Sequence, residues 1–72
     1  MSRARWIAAA RDAWLYQVDG RLAGGIVRAD DRAPFVWLAA VTRDGAFHEV
    51  AAYTHIGDAA RDVVRLTGGR HA

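Results

Sequence analysis

Two hydrophobic periods divide the chain. From Trp14 to Tyr53 apolar runs of strand length are broken by turn-forming residues. From Thr54 to Thr67 the apolar positions recur at helical spacing. The stretch Phe35 to Tyr53, FVWLAAVTRDGAFHEVAAY, organises the rest. Asp44-Gly45 lies between two apolar runs, and both residues of such a pair accept φ > 0, so a tight hairpin is predicted. A two-residue loop sets the register: Arg43 faces Ala46, Val41 faces His48, Ala39 faces Val50 and Trp37 faces Ala52. Those pairs share one sheet face with Phe35. Val36, Leu38, Ala40, Thr42, Phe47, Glu49, Ala51 and Tyr53 take the other. Both faces are mostly apolar, whereas a strand half exposed to water alternates apolar and polar residues. Each face therefore needs a cover.

The same logic reads an earlier hairpin. Trp14 to Val18 and Arg21 to Arg28 are joined by Asp19-Gly20. Val18 then faces Arg21, Tyr16 faces Ala23 and Trp14 faces Gly25. Gly24 and Gly25 give room to a ring or mark a bulge. Ala29 to Pro34, ADDRAP, breaks the pattern as a loop. Residues 1–12 are ambiguous. Trp6, Ala9, Ala10, Ala13 and Trp14 have helical spacing, yet a turn at Arg11 to Ala13 makes Arg5 to Ala10 a short strand or an extended arm, the favoured reading.

Thr54 to Thr67 is predicted as a helix. Ile56, Ala59, Ala60, Val63, Val64 and Thr67 form its apolar stripe, and Asp58, Arg61, Asp62 and Arg65 its wet face. Thr54 or Asp58 caps its start and Gly68-Gly69 its end; residues 68–72 fray. The expected fold is α+β: an antiparallel sheet of three to five strands followed by one C-terminal helix packed on one face, all in a single domain of residues 1–72. One helix of this length covers one face. The other is left to the N-terminal segment, a second copy or a foreign partner.

Composition narrows the classes. A 72-residue chain buries roughly 60% of its unfolded surface, and its core supplies no more than about 3–5 kcal/mol. There is no cysteine to staple it or to hold a metal as thiolate, which fits a cytoplasmic setting. No apolar run approaches the ~20 residues that span a bilayer. All ten basic residues are arginine, and the net charge is a mild +2. Arg3, Arg5 and Arg11 precede the first acid, Asp12, so the N-terminal end is locally basic.

Catalytic chemistry is hard to place. The single serine is Ser2, and no P-loop or Gly-x-Ser-x-Gly spacing occurs. His48 and Glu49 point to opposite sheet faces, so they make no simple acid–base dyad. His48, His55 and Asp58 match no familiar metal spacing, and Asp30-Asp31 reads as a solvated turn. No catalytic residue, cofactor or metal ligand is assigned.

The order of WLYQVDGR, IVRAD, VWLAA and YTHIGDAARDVVRL resembles short accessory proteins of bacteriophages and other mobile elements. Its sheet-then-helix build is similar to the arm-binding domains of some phage integrases and to several anti-CRISPR proteins. The resemblance implies a non-enzymatic inhibitor or accessory module that docks on a host protein or nucleoprotein complex. Trp14, Tyr16, Phe35 and Trp37 are the candidate interface anchors, since aromatic side chains dominate interface energetics, and a homodimer through the sheet is the expected assembly. The alternative is a DNA- or RNA-binding protein contacting phosphates through Arg3, Arg5, Arg11, Arg21, Arg28 and Arg43.

Overall fold

The computed structural model describes residues 3–29 and 36–68. Five strands form one antiparallel sheet in the order of the chain: β1 (Ala4–Ala10), β2 (Ala13–Val18), β3 (Arg21–Ala29), β4 (Val36–Arg43) and β5 (Ala46–Tyr53). A single helix, α1 (Ile56–Leu66), follows. This is the α+β build that the hydrophobic periods predict. Both Asp-Gly pairs turn tightly, with φ of 53° and 79° at Asp19-Gly20 and 55° and 80° at Asp44-Gly45. Arg11 and Asp12 turn β1 into β2, so the N-terminal segment is a strand. Arg28 ties this turn to β3: its Nη2 donates to Asp12 Oδ2 at 2.9 Å and its backbone N–H to the Asp12 carbonyl. Across the sheet, the Thr42 hydroxyl donates to the Leu22 carbonyl.

The registers depart from simple two-residue hairpins. Each begins as predicted at its turn, with Val18 opposite Arg21, and Arg43 and Val41 opposite Ala46 and His48. Then a bulge intervenes. Between β4 and β5 it falls between Ala39 and Ala40, so Ala39 faces Ala51 instead of Val50, and Trp37 faces Tyr53 instead of Ala52. Between β2 and β3 it puts Tyr16 opposite Gly24 and Trp14 opposite Ile26, instead of Ala23 and Gly25. An extra residue in one strand reverses its alternation from that point on. Ala51 and Tyr53 therefore join the face of Trp37 and Ala39. A third irregularity lies between Ala8 and Ala10 of β1.

The helix packs on that face, over β4 above all and then β3 and β5. Ala59 and Val63 are fully buried against Tyr16, Ile26 and Ala39, with Ala60 and Val64 beside them. Ile56, although on the predicted stripe, is 38% exposed at the helix start. The N-cap is His55, with no side-chain cap from Thr54 or Asp58; Asp58 instead stands in the first turn, where its charge suits the helix dipole. Gly68, at φ 76°, ends the helix. Asp58 pairs with Arg61 and Asp62 with Arg65 along the wet face.

Trp6 does not close the second face of the sheet. Its ring lies 4.8 Å from that of Tyr16, on the helix side, packed against the core. β1 widens the sheet instead of covering it. The loop Asp30–Pro34, Phe35 and the tail from Gly69 lie outside the described residues.

Candidate functional site

The side of the sheet away from the helix carries one continuous apolar surface. The pairings Ile7–Leu15, Leu15–Gly25, Gly25–Ala40 and Ala40–Glu49 lay a single row of residues across all five strands. The neighbouring row brings Ala13, Val27 and Leu38 together. Phe47 projects beside them from β5, where it faces Thr42.

Together these residues shape an open groove of about 360 Å³. Its floor is low because Ala13, Gly25 and Ala40 have little or no side chain, and its walls are Leu15, Val27, Leu38 and Phe47. A Cβ on Gly25 would sit 2.9 Å from the Trp14 carbonyl oxygen and 3.5 Å from both Leu15 Cδ2 and Phe47 Cε1, so glycine is what keeps the groove deep there. Phe47 is 50% exposed and Val27 45%, and among the described residues no element packs over them. Glu49 is the one charged lining residue.

Of the aromatic anchors named from the sequence, Trp14, Tyr16 and Trp37 fall on the other side. Tyr16 is buried in the core at 3% exposure, which removes it as a surface anchor. Trp37 packs against the same core. Trp14 faces Ile26 on the helix side and keeps 36% exposure. Phe35 lies outside the described residues. The hairpin register did group Leu38, Ala40, Phe47 and Glu49 on one face. Leu15, Val27 and Gly25 carry no distinguishing signal in the sequence, since medium aliphatic residues and glycine are ordinary strand residues and the core claims the large rings first.

The six arginines of the nucleic-acid alternative share no common surface. Arg3, Arg5, Arg21 and Arg43 lie at one end of the sheet, interspersed with Asp19 and Asp44; the Asp19 carboxylate accepts the Arg3 backbone N–H at 2.7 Å. Arg11 and Arg28 lie at the opposite end, with Arg28 paired to Asp12.

His48 stands on the helix side of β5, opposite Val41, and Glu49 on the other. No group of three or more potential metal-ligating side chains comes together among the described residues. Among the described residues a polar contact joins helix to sheet. The Tyr53 hydroxyl donates to Asp62 Oδ2, and Arg65 donates to Asp62 Oδ1 at 3.0 Å. That hydrogen bond, with some desolvation, raises the Tyr53 phenol above its ordinary value; the hydrogen bonds from Tyr53 and Arg65 hold the Asp62 carboxyl below its own. This contact latches the helix to β5 and carries no reactive group of its own. No helix is long and apolar enough to cross a membrane among the described residues. No family model, curated protein or solved structure matches the chain.

Proposed function

We propose that this chain is a non-enzymatic protein-binding module whose binding surface is the sheet face opposite the helix. The observation that carries the reading is the uncovered apolar groove around Gly25, with Phe47 and Val27 about half exposed on its walls. Strand spacing of ~4.8 Å and a rise of ~3.3 Å per residue give the whole five-strand face a flat area of roughly 600 Å²; its centre around Leu15, Val27, Leu38 and Phe47 is a contiguous apolar patch, and such patches rimmed by polar residues mark interaction sites. The build fits an accessory or inhibitory protein of a mobile element, which works by occupying a surface rather than by turnover.

The test separates a docking surface from a core. In dilute solution Phe47→Glu should melt within a few degrees of the parent, since the side chain is already half in water. Val63→Ala, on the helix side, should lose about 2 kcal/mol from lost burial and the cavity left behind. A Phe47→Glu variant that melts as low as Val63→Ala would show that the face belongs to the folded interior and would refute the reading.

A further inference from the structure

We infer that the occupant of the open face is a second copy of this chain, packed face to face about a two-fold axis running along β3. The inference rests on reading that face as a protein-docking surface, and it names the partner from the way charge is distributed over the face. Among the described strand residues whose register places them there, two are charged: Arg5 and Glu49. Arg5 lies on β1 and Glu49 on β5, the two edges of the sheet. Four strand spacings of ~4.8 Å put them about 19 Å apart within one chain, too far to pair.

A two-fold axis along β3 lays β1 of one copy over β5 of the other. Glu49 and Ile7 belong to the same row of paired residues, and Arg5 is two residues from Ile7, about 7 Å along the strand. That offset is within the reach of an extended arginine side chain. Arg5 thus meets the partner's Glu49, and symmetry repeats the contact at the other edge. The same operation stacks the two grooves over one another at the central strand. There Gly25 lets the sheets approach to the ~10 Å of a packed pair.

The anatomy agrees. The centre of the face is apolar (Leu15, Val27, Leu38, Phe47), and Arg5, Gln17, Thr42 and Glu49 lie around it, as in interfaces with an apolar core and a polar rim. A flat area of roughly 600 Å² is corrugated by side chains, so its accessible area approaches the ~800 Å² per partner of a standard stable complex. The result is four layers, helix–sheet–sheet–helix, in which each sheet covers the face that the other chain's helix cannot reach.

Sedimentation equilibrium from micromolar to millimolar concentration tests this through charge exchange. The parent chain should be a dimer. Arg5→Glu and Glu49→Arg should each weaken association about tenfold or more by placing like charges together, and the double variant should recover most of that loss. Both positions are exposed, so neither change threatens the fold. A parent that stays monomeric throughout, or a double variant as weak as the singles, overturns the dimer. A monomeric parent whose Phe47→Glu variant still folds ends the dimer alone, whereas a Phe47→Glu variant that unfolds ends the docking surface itself.

Discussion

Gly24→Ala probes how closely the helix sits on the sheet. Gly24 is buried on β3 opposite Tyr16 and Val41. A Cβ there would meet the Ala40 carbonyl oxygen at 2.7 Å and Val63 Cγ1 at 2.9 Å. Both distances are below van der Waals contact. The carbonyl belongs to a neighbouring strand in the ladder and cannot retreat alone, and Val63 is fully buried with nowhere to swing. Overpacking of this kind costs about 1–3 kcal/mol. Reduced freedom of the unfolded chain returns only about 0.4–1 kcal/mol. The net expectation is a loss of about 1–2 kcal/mol, or roughly 5–15 °C in melting temperature for a domain of this size. Thermal melts followed by circular dichroism measure it. Val63→Ala in the same chain removes one of the two clashes, so the double variant should lie above the sum of the singles by about 0.5 kcal/mol or more. A Gly24→Ala variant that melts at or above the parent would mean that the helix does not rest on β3, and the assignment of the two sheet faces would fall with it.

Two further outcomes follow from the helix. Gly57 lies in its first turn with open space where a Cβ would be, so Gly57→Ala should stabilise by about 0.5–1 kcal/mol; an unchanged or lower melting temperature would place that residue outside the helix. The Tyr53–Asp62 latch should give stability a pH dependence at both extremes. Asp62 is depressed, so its contribution is complete above the unfolded carboxyl value and is lost as pH falls through the folded one. Tyr53 is raised, so its contribution is complete below the unfolded phenol value and is lost as pH rises through the folded one. Tyr53→Phe should remove the alkaline loss and shrink the acid loss to what the Arg65 contact provides. Identical pH profiles for parent and variant, followed by urea melts, would rule the latch out.

What the sequence determines by itself here is what depends on neighbours along the chain. Asp19-Gly20 and Asp44-Gly45 specify tight turns because few other pairs tolerate positive φ at both positions. The spacing of Ala59, Ala60, Val63 and Val64 specifies a helix and the face it buries, and Gly68 specifies its end. Four strands and one helix were legible from such signals, whereas residues 1–12 also carried helical spacing, and only pairing with β2 makes Ala4–Ala10 the fifth strand. The identity of the open face was not legible. It turns on the bulges in the second and fourth hairpin registers, and on β1 joining the sheet edge-on. A bulge has no strong local signature in these strands. It forms because one extra residue lets Tyr53 and Ala51 face the helix together with Trp37 and Ala39, a gain that exists only once the helix has docked. The same docking draws Tyr16 into the core and leaves Leu15, Val27, Leu38 and Phe47 facing outward. Periodicity reports that a strand has two apolar faces; only the packed structure decides which of them the single helix takes, because that choice depends on contacts between residues far apart in the chain.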